Sequence, residues 1–590
     1  MVAGYMNKFI ILGALPLIAY CETLETIIVE EHLDSKENSI EESFFRSYQK
    51  EIISREDILE NSAVDVKDAL KHLPNVTVKD TGSFTKKLSI RGLSGDRVIS
   101  VVDGVKLVNQ GITHSGGGEL GLIEASTIEK IELVKGSPSV IYDPGATGGV
   151  INISTIKDIS KIKDKIAGKY TYQRDEGYKL NKHTLFTEAK YQNFYSSINY
   201  STVDSKDRNV KDKNKIKKVL LRTNFKEERY GSKYEITDLG YKSDSYNFFT
   251  GYKVSDNIDF YLRKSNYLAE DISFTHGAST SMVIHYDEYE RDALSLGAKL
   301  KNIYNLEKID ITVSEQKIRK MIQTNDLNIN DQIVDTKTIK IDLAKRYDVF
   351  YFLAGSEFSK DKAETYTFSN QDYFATYLNG EYNNEKFILN AGLRYNHYKV
   401  KQEIEPGRDL DTIYDLVGIS GVLKDDIIDD AFTYGLGATY LVNDNHNIAF
   451  NYSKTYRYPT LYERFAFDSF VGGGADMMAE EGDNLELSWK YLDDSTFVSL
   501  SYFYTDFSTY NNTYEHRKIK DLDFLKQCLK DKECNPYDDD HNEDTIFSTF
   551  FKYASFYGVK NSGFELSVKK EFKEQAIESG FDISLSALSN

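Results

Sequence analysis

Tyr142-Asp143-Pro144-Gly145-Ala146-Thr147-Gly148-Gly149-Val150-Ile151-Asn152-Ile153 is a glycine-rich turn that leads directly into a β-branched strand. Three earlier runs have the same form, because each is a short β-forming segment that stops at a glycine: Lys87–Gly92, Val98–Gly104 and Ile131–Gly136. Such runs are typical of strands and their turns. Val64–Ile156 is therefore predicted to be a compact, β-rich unit.

Two short helices are predicted inside this unit. Asp65–Leu73 has one apolar face, and Pro74 ends it. Ser126 is followed three residues later by Glu129, and this pair can satisfy two unbonded amides at the start of a helix. We therefore expect a helix to begin at Ser126 and to lead straight into the next strand.

The order of these pieces resembles the plug domain of TonB-dependent outer-membrane receptors. Four motifs of the family are matched in order. They are the Ile-Arg-Gly strand at Ile90–Gly92, the Val-Asp-Gly turn at Val102–Gly104, the Glu-x-Val-(Arg/Lys)-Gly strand at Glu132–Gly136 and the Gly-Ala-x-Gly-Gly-Val-Ile-Asn-Ile finish at Gly145–Ile153. The chain departs from the family's finish at Asp143-Pro144. Four ordered matches within about 70 residues are far more specific than a lone glycine motif. The resemblance implies an α+β plug domain at 61–158, inside the lumen of a transmembrane barrel of roughly 22 strands.

Composition excludes several other classes. The 590 residues include 43 Tyr and 33 Phe but 1 Trp, and the net charge is −19. After the N-terminus no run of about 18 apolar residues occurs, which excludes a helical membrane protein. Excess negative charge argues against nucleic acid as a partner, because phosphate contacts need clustered Lys and Arg.

Beyond Lys157 apolar and small polar residues alternate, which predicts a transmembrane β-barrel at 165–590. One clear pair is Phe432–Tyr440 and Ile448–Tyr452, joined by a turn at Asn443–Asn445. We predict short turns at one end of the barrel and long polar connections at the other: 203–215, 265–280, 401–430, 464–483 and 506–555. A soluble sandwich also alternates, but its strands are usually shorter.

The N-terminus is predicted to be a secretory signal peptide over 1–21, with a lipoprotein signal ending at Cys21 as a weaker alternative. Residues 22–60 form a periplasmic lead-in. Its segment Glu25-Thr26-Ile27-Ile28-Val29 resembles the TonB box, which adds a strand to the periplasmic protein TonB. An ordinary edge strand would be favoured if no plug followed. The resemblance also implies that ExbB and ExbD supply the energy and that the chain sits in the outer membrane of a Gram-negative bacterium, in contact with its lipid.

A barrel segment, Tyr456–Glu463, resembles the Phe-Arg-Ala-Pro-x-Leu-x-Glu block best known in haem and haemoglobin receptors. The family's next block is only partly kept at Asp483–Leu487, and no histidine lies between the two. His114 stands where haem receptors place an iron-ligating histidine, although a solvated loop histidine is the simpler interpretation. We therefore expect active uptake of a ferric siderophore ahead of haem.

Arginine and aromatic side chains suit an anionic chelate. The candidates for ligand binding are His114, Arg97, Arg457, Tyr458, Tyr462 and Arg464.

No motif positions a nucleophile beside a base, so we expect no catalysis. No cofactor or resident metal is expected, because the transported iron complex is cargo. A passive porin or an adhesin barrel would lack the plug. Cys528 and Cys534 are expected to form a loop disulfide, with free thiols as the alternative.

The C-terminus is expected to be incomplete. Family barrels close with a strand that ends in an aromatic residue, whereas this chain ends at Asn590. By alternation about 17 to 19 strands can be placed, fewer than the roughly 22 of the family. A smaller natural barrel is the alternative.

Overall fold

The computed structural model describes residues 42–589, apart from the gaps that follow. These are 62, 81–83, 85, 109, 111–117, 137–139, 156–165, 177–178, 207, 211–233, 237–239, 274–283, 325–327, 365–367, 404–425, 466–470, 473, 475–476, 520–546 and 575–576.

The N-terminal domain contains two small sheets and two short helices. A five-stranded sheet has the order β1-β7-β8-β5-β6, and a three-stranded sheet has the order β2-β3-β4. Their elements are β1 Lys50–Ser54, α1 Arg55–Glu60, α2 Val66–Leu70, β2 Val76–Asp80, β3 Lys86–Ile90, β4 Leu93–Ser94, β5 Val98–Val102, β6 Val105–Lys106, β7 Ile128–Lys135 and β8 Gly149–Thr155.

All four predicted plug strands are present, as β3, β5, β7 and β8. β1 lies ahead of residue 61 and pairs with β7, so the plug sheet includes part of the predicted lead-in. The helix predicted over 65–73 is shorter, because α2 ends at Leu70 and turns precede Pro74.

The helix predicted at Ser126 is wrong. A single 3-10 turn occupies Ala125–Thr127, and Glu124 caps it by accepting a hydrogen bond from the Ser126 amide at 2.9 Å. Glu124 therefore takes the capping role assigned to Ser126. Glu129 already lies in β7, where it cannot reach back to complete a capping box.

Residues 166–589 form a closed barrel around this domain, and its pairings are antiparallel except for the short parallel pairing of β24 with β27. Its strands are β9 Ile166–Asp175, β10 Leu180–Tyr191, β11 Phe194–Ser205, β14 Tyr241–Ser255, β15 Ile258–Ser273, β16 Ile284–Ile303, β17 Leu306–Thr324, β18 Asn328–Tyr347, β19 Phe350–Glu364, β20 Phe368–Asn383, β21 Phe387–Glu403, β22 Ile427–Asn443, β23 His446–Arg457, β24 Val471–Gly472, β25 Glu480–Leu492, β26 Thr496–Ile519, β27 Phe547–Glu574 and β28 Ile577–Ser589. β12 Arg208–Val210 and β13 Tyr234–Ile236 form a separate pair within one connection, and α3 Leu461–Phe465 lies in another.

The alternation predicted for the barrel is confirmed. In β22 Phe432 is 61% exposed, whereas its neighbour Thr433 is fully buried against the lumen side. Aromatic side chains also stand exposed on strand ends beside the short turns, as at Tyr191, Phe194 and Tyr440. Such a ring of aromatics is typical of a membrane interface. Among the described residues, no helix is long and apolar enough to cross a membrane.

The two ends of the barrel differ as predicted. Turns such as 192–193, 304–305 and 444–445 join strands at the short-turn end, whereas connections such as 206–240 and 404–426 lie at the long-connection end. The connections predicted at 265–280 and 506–555 are shorter than expected, because β15 continues to Ser273 and β26 and β27 extend into 506–555.

The barrel has eighteen described strands, of which β24 has only two residues. This number falls within the range estimated from alternation. β28 neighbours β9 in the strand order. That the chain stops short of the family's last strands stays a prediction.

Candidate functional site

Arg91, from the Ile-Arg-Gly motif, joins the plug to the barrel wall. Its guanidinium donates to Glu486 at 2.7 Å and to Glu565 at 2.8 Å, and it lies 4.2 Å from the centre of the Phe503 ring. Arg91 has a φ of 51°, and the Asn561 side chain donates to its carbonyl oxygen at 2.9 Å. Burial alone would lower the pKa of Arg91, but the two carboxylates outweigh it and raise that pKa. The buried cluster therefore holds the plug in place.

A second ion-pair cluster lies nearer the long-connection end. Glu480, at the start of β25, accepts from Arg457 at 2.6 Å and also contacts Arg97 of the plug. Glu463 of α3 binds the other face of Arg457 through two bonds of 2.8 and 3.0 Å. The Arg97 guanidinium also lies 4.0 Å from the Tyr510 ring centre. Both arginines thus pair with protein carboxylates.

The segment after β23 packs against the plug. The Tyr458 ring stacks on Tyr398 with centroids 4.7 Å apart, and the Arg464 guanidinium lies 4.7 Å from the Tyr458 ring centre. The Tyr462 amide donates to the carbonyl of Gln110 at 3.1 Å. Gln110 is the last described residue before the loop that contains His114. This hydrogen bond joins the segment after β23 to the plug at Gln110.

A cavity of about 80 Å³ lies between the plug and this segment. Its walls include the stacked pair Tyr398 and Tyr458, together with Lys106, Gln110 and Asp143. Lys106 donates to Asp143 at 2.8 Å, and the Gly145 amide donates to the same carboxylate at 2.7 Å. Asp143 is the point at which the chain departs from the family finish, and here it anchors the turn beside the cavity.

The short-turn end holds the start of the described chain. Lys490, fully buried in β25, donates to the carbonyl oxygens of Ser43 at 2.7 Å, Arg46 at 2.8 Å and Tyr48 at 3.3 Å. The Asn447 side chain donates to the Phe44 carbonyl at 2.7 Å. The first described residues of the chain are therefore held at this end of the barrel.

Lys50 ties the same segment to the plug sheet. Its ammonium lies 2.5 Å from Glu42 and 3.0 Å from Glu132. Burial would raise the pKa of Glu132, but Lys50 and Lys130 outweigh it and lower that pKa to about 2. Glu132 is consequently a carboxylate at neutral pH, and the segment is held by charge as well as by hydrogen bonds.

We expect Lys490→Met to loosen the segment Glu42–Lys50, because three carbonyl oxygens lose a charged donor at once. Each such bond stabilises by about 1.5–3 kcal/mol. Hydrogen exchange measured by mass spectrometry should speed up by roughly tenfold or more in this segment. Lys399→Met, which removes an exposed lysine paired with Asp426 at 2.9 Å, is the matched control. Equal exchange in the two variants would contradict the prediction.

The structure brings five of the predicted ligand residues to the long-connection end: Arg97, Arg457, Tyr458, Tyr462 and Arg464. All five touch protein groups there, and their role in ligand binding stays a prediction. His114, the TonB box Glu25–Val29, and Cys528 and Cys534 lie outside the described residues. In the described part of the chain, no cluster of three or more His, Cys, Asp or Glu residues is arranged to hold a metal ion.

The sequence patterns assigned no functional role to Lys106, Gln110, Asp143 and Lys490. Two of these residues, Asp143 and Lys490, nevertheless carry a signal in the sequence. Asp143 marks the departure from the family motif, and Lys490 occupies a lumen-facing position between Trp489 and Tyr491. A charged residue on that face needs partners inside the barrel.

Comparison with solved structures shows the same fold. The FrpB iron transporter from Neisseria meningitidis aligns over 92% of this chain and 80% of its own, with a TM-score of 0.68 and 14% identity. The siderophore receptor PirA from Acinetobacter baumannii aligns over 93% of this chain and 81% of its own, with a TM-score of 0.65 and 14% identity. The copper transporter OprC aligns over 91% of this chain and 78% of its own, with a TM-score of 0.66 and 13% identity.

Among curated proteins, the heme/hemopexin utilization protein C of Haemophilus influenzae is 38% identical over 126 residues. That match covers 21% of this chain and 17% of the relative. Two family models cover far more: "TonB-dependent Receptor Plug Domain" matches 47–150, and "TonB dependent receptor-like, beta-barrel" matches 164–589. Together with the plug-filled barrel, these matches show that the chain belongs to the family of TonB-dependent receptors.

Proposed function

We propose that this chain carries a ferric siderophore across the outer membrane of a Gram-negative bacterium, in a process powered by TonB with ExbB and ExbD. The proposal is supported by a structural difference between the two ends of the plug. The lead-in enters at the short-turn end, and an aromatic and cationic cavity lies at the long-connection end. Long connections face the outside in barrels of this kind.

The outer end suits an anionic iron chelate. Tyr398 and Tyr458 present a stacked pair of rings, and Lys106 supplies a cation at the cavity wall. The lysine is bonded to Asp143, which keeps it in place. A lysine ammonium makes charge-assisted hydrogen bonds to anionic oxygens, and aromatic rings offer flat apolar contact area to the rest of a chelate.

The outer wall of the barrel suits lipid. Its exposed apolar side chains include Leu296, Leu393, Leu436, Leu487 and Leu500. Buried Thr433 and Thr439 on the opposite face of β22 would be unsuited to hydrocarbon. We therefore place the barrel in the bilayer with the plug in its lumen.

Growth under iron limitation tests this proposal. Strains with and without the gene are supplied with catecholate, hydroxamate and citrate complexes of radioactive iron, and with haemin, each in the presence and absence of TonB. We expect one siderophore complex to be accumulated only when both this chain and TonB are present. Accumulation that is independent of TonB would contradict the proposal and favour a passive pore.

Haem is the second candidate, favoured by the local similarity to the heme/hemopexin utilization protein. We expect purified protein titrated with haemin to show no histidine-ligated Soret shift that disappears in His114→Ala, because Phe465–Gly482 contains no partner histidine. His183→Ala, on exposed β10, is the control. A clear shift that is lost only in His114→Ala would reverse the order of the two ligands.

A further inference from the structure

A second cavity, of about 70 Å³, lies between the plug and the wall formed by β10, β11 and β14 to β17. A water molecule needs roughly 10–15 Å³ of such space, so the cavity has room for several waters or one small polyatomic group. Its barrel wall is rich in serine and asparagine, and it contains two arginines, Arg263 and Arg291. The plug contributes Asp103, Glu124 and Thr155.

Arg291 carries a buried charge with neutral partners. It is 9% exposed, and its guanidinium donates to Gln316 at 2.9 Å and to Ser265 at 3.1 Å. Within the described ranges it has no carboxylate at ion-pair distance, unlike Arg91 and Arg457. Buried charges are ordinarily paired. An anion in the cavity would supply the missing charge.

Three carboxylates line the cavity, and each already has a partner. Glu124 pairs with Lys182 at 2.6 Å, and the exposed Glu315 pairs with Lys337 at 3.3 Å. Asp103 accepts from the Thr155 amide at 2.9 Å and from the Thr155 hydroxyl at 2.7 Å, and it also contacts Arg263. None of the three is paired with Arg291.

The two arginines lie in axial order along the wall. Arg291 stands opposite Tyr267, and Arg263 stands opposite Ser295, which is four residues further along β16 toward the short-turn end. Four residues of strand correspond to roughly 13 Å. Arg263 currently contacts plug Asp103. A plug movement that withdraws Asp103 would leave Arg263 as a second available cation, nearer the short-turn end than Arg291.

We propose that this cavity is an anion-binding station inside the barrel, where Arg291 first takes the carboxylate or other oxyanion groups of the transported complex and Arg263 takes them after Asp103 withdraws. The proposal rests on the proposed function for its transport role. Its binding step is separate, because an oxyanion can occupy the cavity without iron or TonB.

The test uses selenate as the probe, in crystals of the full chain purified in detergent. We expect an anomalous selenium peak within hydrogen-bond distance of the Arg291 guanidinium. The peak should be lost in Arg291→Met and retained in Arg291→Lys. Arg319→Met is the matched control, because Arg319 is a barrel arginine that already pairs with Asp331 at 2.8 Å and lies outside the cavity.

Folding of each variant is checked by the heat-dependent shift of the barrel on a gel. Should Arg291→Met not fold, Arg291→Gln, which keeps a neutral donor near Gln316, replaces it under the same criterion. Selenate affinity should fall by roughly tenfold or more in the neutral variant, as expected for loss of a charged hydrogen bond. Absence of selenate from the cavity, or equal occupancy in the neutral variant, overturns the proposal whatever the growth experiment shows.

Discussion

We expect uptake of the proposed iron complex to stop in Ile28→Pro, whereas binding of the complex to the cell surface should stay normal. Strand addition to TonB depends on main-chain hydrogen bonds, and proline removes a donor and fixes φ. The cavity proposed to bind the ligand lies at the other end of the barrel, so binding should not change. Uptake should fall to the level of a strain that lacks TonB, measured as accumulated radioactive iron beside surface-bound iron.

Ile28→Ala is the matched control, because alanine keeps the backbone donor and should keep most of the uptake. The position of the lead-in supports this design. Twelve residues separate Val29 from Glu42, and a chain of that length can span up to about 40 Å. Glu42, the first described residue, lies at the short-turn end, opposite the cavity beside Tyr458. Normal uptake in Ile28→Pro would show that the TonB box lies elsewhere.

Local features of the plug could be predicted because the residues that cause them are close in sequence. Gly92, Gly104 and Gly136 all have positive φ, which explains why each strand run stops at a glycine. Asp65 caps α2 by accepting from the Asp68 amide at 2.9 Å. The reason why no helix begins at Ser126 is also local. The Glu124 side chain accepts the hydrogen bond of the Ser126 amide, which Glu129 was expected to accept.

The candidate site was harder to predict because its partners are remote. Arg97 contacts Glu480, which lies 383 residues further along the chain, and no sequence pattern near Arg97 indicates that carboxylate. Arg457 was singled out as a ligand group, yet it joins α3 to β25 through Glu463 and Glu480. An arginine that is suited to an anionic ligand is equally suited to a buried glutamate, so only the fold distinguishes the two uses.

The barrel shows the same division between local and remote information. Alternation predicted which face of β22 points out of the barrel, because successive side chains of a strand point to opposite faces. It could not show that Lys490 would cap three carbonyls of a segment more than 440 residues away.

Gly149→Ala should displace the plug, which is the largest effect on stability that we expect. Gly149 has a φ of 140°, and a Cβ there would lie 2.5 Å from the carbonyl oxygen of Val134. Backbone strain of this kind costs about 1–3 kcal/mol, and the contact with a main-chain atom adds to it. Because Gly149 pairs with both Val98 and Lys135, two strand pairings should be lost together.

The matched control is Gly104→Ala, at a φ of 86° with no heavy atom within 4 Å of the added Cβ. Gly104→Ala should destabilise the fold only through backbone strain, by roughly 1–2 kcal/mol. The measurements are the thermal unfolding midpoint of the purified protein and the sensitivity of cells to antibiotics too large for ordinary porins. Gly149→Ala should lower the midpoint more and should open the barrel to such antibiotics, because the sheet that fills the lumen no longer forms. Identical behaviour of the two variants would mean that the crowding beside Val134 is relieved without loss of the plug sheet.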